Sequence, residues 1–351
     1  MDNQENNKVT EVNEVIQADE LEQAPPMETA PKKSKGKTVA LIIAIVVIIT
    51  TLCVLAFSYF TKSWWFAEQQ QPTQSVKTDD TPLFTLENYP KVDASTATQP
   101  LAMAFMKNFT ATADIDTSKL NFTKTDQAYS KLIKGDVDLI LVTSPSEDEL
   151  ARAKKAGVEL EVTPVVNEGF VFFVSQQNPV DSLTVQQVQD IYQGKITNWN
   201  QVGGENQEIK AYQRPVNSGS QTGMLDLVMK NKQLMKAPTD MIAESMTQII
   251  NIVSGYNGGA DGIGYSYYYY ATTMYQDIDA SVANNVKLLK IDGVAPEVES
   301  IKAGNYPFRT AYYIVINKAA AADGPARQLA EAMLSDRGQK VALEAQYVPV
   351  K

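Results

Sequence analysis

An uncharged, predominantly apolar run occupies residues 39–60, with Lys32, Lys33, Lys35 and Lys37 just before it and Trp64, Trp65 and Phe66 just after it. About 20 helical residues rising 1.5 Å each cross a hydrocarbon core of roughly 30 Å, so the run predicts a single transmembrane helix. The lysines on the N-terminal flank predict an N-terminus in the cytoplasm and everything beyond residue 62 outside, and the aromatics suit an interfacial belt. A cleaved signal peptide is the competing reading. The run is longer than such a segment needs, and more than thirty residues precede it.

On either side the apolar pattern disappears. Residues 1–31 carry eight acids and one lysine, too polar to offset their ordering entropy, and are expected to be a disordered acidic tail. Residues 32–62 are the basic flank and membrane helix. Residues 63–82, rich in Gln, Thr, Asp and Pro, read as a flexible extracellular stalk.

Beyond residue 83 short apolar runs alternate with helical periods. Leu101, Ala102, Phe105, Met106 and Phe109 mark one helix, and residues 128–133 a second. Residues 137–142 and 170–174 are solid apolar runs of the kind found in buried parallel strands. Residues 184–192 form a helix with Thr184 as N-cap, 220–232 another, and Pro325 starts a last helix running to about residue 343. Residues 262–265 begin a strand and 312–316 form a late one. This alternation predicts an α/β architecture with parallel sheets, and no repeat of fixed period is present.

Charge and composition narrow the chemistry. The 351 residues hold 31 basic and 41 acidic side chains, a net charge of −10, which argues against a nucleic-acid partner. There is no histidine and one cysteine, Cys53. Histidine-dependent nucleophiles, histidine-ligated metals, disulfide frameworks and thiolate clusters are thereby excluded, and no cofactor or metal is expected. Thr50, Thr51 and Leu52 before Cys53 are unlike a lipoprotein signal, so this thiol is read as helix packing or lipid-facing.

Three hydroxyl-rich loops precede helices: residues 93–98, 123–126 and 214–222. Each can offer alcohol donors beside the unpaired N–H groups of a helix's first turn, the arrangement that replaces water around an oxyanion. Any one alone is most simply an N-cap. The third adds Arg214 ahead of Ser218, Gly219 and Ser220, where glycine lets a ligand approach the backbone and guanidinium supplies a planar charged fork. The competing reading is that Arg214 simply pairs with a surface carboxylate. The Tyr267-Tyr268-Tyr269-Tyr270 run reads as core and rim packing, Glu147-Asp148-Glu149 as the acidic first turn of a helix, and Lys154-Lys155 as a solvated face.

Several of these stretches resemble the PstS family of phosphate-binding proteins. They include Phe172-Phe173-Val174 with Asn178-Pro179-Val180-Asp181-Ser182-Leu183-Thr184, the Gly194-Lys195-Ile196-Thr197-Asn198-Trp199 segment, residues 214–222, Gly262-Ile263-Gly264-Tyr265 and Tyr306-Pro307-Phe308. The resemblance runs from about residue 89 to the C-terminus. It implies a two-lobe type II periplasmic-binding-protein fold that closes on an oxyanion for the membrane subunits of an ABC importer. Lobe 1 would take residues 83–165 and 308–351, and lobe 2 residues 166–307. Ser95, Thr96, Thr125, Arg214, Ser218, Gly219 and Ser220 fall on the family's binding positions.

Two departures stand out. Thr143, with Ser144, falls near a position where the family often has an aspartate that accepts the proton of phosphate. A hydroxyl there does not reject ionised sulfate. The second loop, Lys124-Thr125-Asp126, lacks the glycines usual in the family. The expected function is anion capture by a membrane-anchored binding protein whose partners are phosphate or a related oxyanion, importer subunits and, through residues 39–60, the lipid bilayer. The alternative is a sensor that signals through its anchor. An enzyme such as a phosphatase lacks evident machinery.

Overall fold

The computed structural model describes residues 81–255 and 261–351. The acidic tail, the basic flank and membrane helix, and the stalk up to residue 80 lie outside them. Among the described residues no helix is long and apolar enough to cross a membrane.

Strand β1 (Val92–Ala94) leads into α1 (Gln99–Thr110), β2 (Leu120–Asn121), α2 (Thr125–Lys134) and β3 (Leu139–Val142). Strands β2 and β3 flank β1 and run parallel to it. Leu139 and Leu141 of β3 enter the main core with Leu101, Phe105 and Phe109 of α1, whereas Ile140 and Val142 join a second cluster with Ala128, Tyr129 and Leu132 of α2. Both faces of β3 are dry, so its sequence is a solid apolar run without alternation. Each fully buried Leu or Ile stabilises the lobe by roughly 1.5–3 kcal/mol. Helix α3 (Glu147–Lys155) opens with a capping box in which Ser146 Oγ accepts from Glu149 N (3.2 Å) and Glu149 Oε2 accepts from Ser146 N (2.7 Å). The acidic triplet is therefore a first turn, and Lys154 and Lys155 are exposed.

The 16-residue strand β4 (Leu160–Ser175) then passes from one lobe to the other. In the second lobe come β5 (Ser182–Leu183), α4 (Val185–Tyr192), β6 (Lys210–Ala211) and α5 (Gly219–Gly223), which continues as a π-helical stretch over Met224–Met229. After α6 (Met246–Val253) and β7 (Gly262–Tyr267) follow α7 (Tyr275–Ala283), β8 (Val286–Leu288), β9 (Lys290–Ile291) and α8 (Val298–Lys302). The chain returns through β10 (Arg309–Asn317) and closes with α9 (Pro325–Leu334), α10 (Asp336–Glu344) and β11 (Val348–Pro349). As far as Gly169, β4 pairs with β10; from Phe170 onward it pairs with β7. At the junction Phe170 N donates to Phe308 O (2.9 Å). The two passages between lobes thus lie side by side, as a hinged two-lobe α/β fold requires.

Three expectations are corrected. The sheets are mixed, because β10 runs antiparallel to both β3 and β4, and β7 antiparallel to β4. An apolar run buried on both faces carries no mark of strand direction. The run at 170–174 is only the end of β4. Its earlier part was hidden by partly exposed residues and by Pro164, which is tolerated beside a register irregularity opposite Tyr312 and Tyr313. The last helix is two helices, broken at Ser335 (ψ 165°), whose Oγ accepts from Gly338 N (3.1 Å) to cap α10. A Cβ on Gly338 would lie 2.2 Å from Ala332 O, so the corner requires glycine.

Candidate functional site

A cavity of about 410 Å³ opens between the lobes, and all eight residues named from the sequence line it: Ser95, Thr96, Thr125, Thr143, Arg214, Ser218, Gly219 and Ser220. The first four come from the lobe built on β1 and β3, the others from the loop before α5.

On the first side, buried Asp93 ties two loops together. Its Oδ1 accepts from Ala94 N (2.8 Å) and Thr123 N (2.9 Å), its Oδ2 from Thr123 Oγ1 (2.6 Å), and Lys131 Nζ lies 3.0 Å from Oδ2. Ser95 leaves the end of β1 with its N bonded to Leu141 O (3.0 Å) and its Oγ 2.9 Å from Thr98 Oγ1. Thr125 begins α2 after Lys124, which takes a φ of 72°. Thr143 follows β3 and is held through its carbonyl, which accepts from Tyr129 Oη (2.8 Å). Its own Oγ1 is buried and has no hydrogen-bond partner. The nearby Tyr267 hydroxyl donates instead to Gly219 O (2.9 Å).

On the second side, Arg214 is 8% exposed. Its Nε donates to Ala243 O (2.7 Å), one terminal nitrogen to Glu244 O (3.3 Å) and the other to Ser220 Oγ (3.4 Å). That engages three of the five N–H donors of a guanidinium. Its backbone N donates to Gln221 Oε1 (3.1 Å) and Tyr265 Oη (3.0 Å), which fixes the root of the side chain. Burial pushes its pKa down, opposed by the nearby Tyr265, Tyr270 and Glu244. Among the described residues no carboxylate forms an ion pair with Arg214. The surface ion pair that would have accounted for this arginine is absent there.

Ser218 caps α5, its Oγ accepting from Gln221 N (3.2 Å). Gly219 packs tightly against the opposite lobe: a Cβ there would sit 2.6 Å from Thr143 Oγ1 and 2.8 Å from Thr125 Oγ1. Lys124, Asp126, Glu244, Tyr267 and Tyr270 also line the cavity. The two tyrosines were read from sequence as packing. Both are buried, at 3% and 2% exposure, so they serve as wall and core together. The tie made by Asp93 was not anticipated, because its partners Thr123 and Lys131 stand 30 and more residues away and no local spacing marks them. Chemically, the cavity offers neutral hydroxyls, first-turn amides and one buried cation without a counter-ion, a set suited to holding a small anion.

A family profile described as a PBP superfamily domain matches residues 71–337. The phosphate-binding protein PstS of Bacillus subtilis (strain 168) is 25% identical over 260 residues, which are 74% of this chain and 80% of that protein. The protein of the same name from Staphylococcus aureus (strain USA300) is 28% identical over 230 residues, 64% of this chain and 67% of its own. Among solved structures, a putative phosphate ABC transporter substrate-binding protein with bound phosphate from Clostridium perfringens matches with a TM-score of 0.59 at 22% identity, covering 75% of this chain and 100% of that one. An ABC-type phosphate transport receptor from Vibrio cholerae matches at 0.55 and 21%, covering 74% and 98%. At these identities the structural likeness carries the fold.

Proposed function

Because the chain belongs to the PBP superfamily, we propose that it is a membrane-anchored, extracytoplasmic solute-binding protein that captures phosphate or a similar tetrahedral oxyanion and delivers it to an ABC importer. The observation that carries this reading is Arg214: a buried guanidinium without a carboxylate partner, lining one cavity with hydroxyls from both lobes. Burying a cation is costly unless a counter-charge arrives, and here the ligand is that charge. In a cleft that excludes water, fixed dipoles and hydrogen bonds hold an anion despite the chain's net charge of −10. The phosphate-binding relatives support phosphate as the ligand.

In this reading Ser95, Thr96, Thr125 and Thr143 of lobe 1 (residues 83–165 and 308–351) meet Arg214, Ser218, Gly219 and Ser220 of lobe 2 (166–307) around the anion. The lobes close by bending at the paired passages near Phe170 and Phe308. No bond is made or broken, so the protein acts by binding and not as an enzyme. The run at residues 39–60 supports the anchor, with the N-terminus cytoplasmic.

Isothermal titration of the full-length chain with inorganic phosphate tests the proposal. One anion per chain is expected, with affinity at least about tenfold weaker in Arg214→Ala, since a buried charge-assisted contact is removed. Absence of phosphate binding, or an unchanged affinity in that variant, refutes it.

A further inference from the structure

The next step rests on anion capture in this cleft and narrows the chemical class of the anion. Hydrogen phosphate carries an O–H whose proton seeks an acceptor; sulfate at the same pH carries none. A buried carboxylate touching the anion accepts from the first and repels the second, whereas a hydroxyl serves either, donating to an ionised oxygen or accepting from a protonated one.

Hydroxyls of one lobe stand opposite Gly219 of the other. Thr125 and Thr143 are 5% and 3% exposed and face Gly219. Thr143 Oγ1 is buried and makes no hydrogen bond; the Tyr267 hydroxyl near it donates to Gly219 O and is left as an acceptor only. A buried polar atom in that state is unfavourable, and a ligand oxygen beside it removes the penalty. The acids on the cavity wall are of another kind. Asp126 is paired with Arg152 and its side chain is 44% exposed, and Glu244 is exposed. Neither is a buried acceptor set against the hydroxyls.

We propose that the cleft binds tetrahedral dianions without reading their protonation, so that sulfate and hydrogen phosphate bind with similar affinity, Thr143 being the residue that leaves the proton unread.

Titration calorimetry on the full-length chain with sodium phosphate and sodium sulfate, at mildly acidic and mildly alkaline pH, tests this. Sulfate is expected to bind within about tenfold of phosphate at alkaline pH and to keep its affinity at acidic pH, while phosphate weakens there as its dianion is depleted. Thr143→Asp is expected to lose sulfate by more than about 100-fold and to retain phosphate. A wild-type chain that binds phosphate but rejects sulfate by more than about 100-fold overturns the inference and leaves phosphate capture standing. So does an Asp126→Asn variant that newly admits sulfate, since the rim acid would then be the proton reader. A chain that binds neither anion overturns both readings.

Discussion

Asn217 Nδ2 donates to Asp148 Oδ2 across 3.1 Å, joining the loop before α5 in one lobe to the first turn of α3 in the other. Arg152 Nε lies 2.9 Å from the same oxygen and holds the acceptor in place. Asn217 takes a φ of 62°, a conformation asparagine tolerates and alanine resists. The contact is partly solvated, so its worth is modest, but it exists only while the lobes are together. Asn217→Gly keeps the backbone accessible and deletes the bond. We expect anion release about threefold to tenfold faster, with an almost unchanged on-rate, in stopped-flow measurements. An unaltered release rate would show that the bond does not help keep the lobes closed.

Gly219 presents the opposite situation, a place where addition is harmful. A methyl there would meet Thr143 Oγ1 at 2.6 Å and Thr125 Oγ1 at 2.8 Å, both on short, buried side chains with little freedom to retreat. The lobes can relieve the clash by staying apart, which leaves each core intact. Gly219→Ala is therefore expected to lose more than about 100-fold in phosphate affinity with a thermal midpoint close to wild type. Retained affinity would place the closed state somewhere other than this contact.

The sequence was most informative where the chemistry is local. Ser95, Thr125 and Ser218 stand at helix or turn starts, and the hydroxyl content of their loops could be read directly, as could Arg214 ahead of α5. What escaped is long-range. Asn217 and Asp148 are 69 residues apart, and nothing near either predicts the other. The antiparallel placement of β10 is equally silent, because Tyr312, Ile314, Val315 and Ile316 would be buried in either direction. The tyrosine run was legible as packing; that Tyr267 and Tyr270 also form cavity wall depends on how β7 ends beside α5.

Asp93 supports the site from behind. It is fully buried, and its carboxylate is shared among two backbone amides, the Thr123 hydroxyl and Lys131. Asp93→Ala removes all four contacts and leaves donors from two loops unpaired, so we expect about 2–4 kcal/mol of destabilisation in urea unfolding. Phosphate affinity should fall as well, since Ser95 and Thr125 lose their common tie. Asp93→Asn keeps a carbonyl acceptor for the two amides and should fall between the variant and wild type in both measurements. If alanine leaves stability unchanged, the tie is not what orders the loops.

Glu168 gives the protein a pH dependence at its hinge. It lies in β4 one residue before Gly169, where the strand leaves β10, and its Oε1 accepts from Gly169 N (2.8 Å) and Tyr269 N (3.2 Å). Those bonds favour the carboxylate, but burial dominates and its pKa is pushed up to about 8. The phenols of Tyr267, Tyr268, Tyr269, Tyr312 and Tyr347 feel its charge, and their own pKa values are raised, chiefly by burial. The folded chain therefore keeps a proton that the unfolded chain, with an ordinary value of 4.5, has released. Stability from this group is complete below about pH 4.5, declines as pH rises, and is lost above about pH 8. Glu149, also raised by burial, adds a slope of the same sign, so the informative quantity is the difference between wild type and Glu168→Gln. Glutamine mimics the protonated acid and can accept both amide bonds. Its thermal midpoint should fall less than that of wild type between mildly acidic and mildly alkaline pH in calorimetric scans. Parallel pH profiles for the two proteins would mean that Glu168 titrates alike in folded and unfolded chains.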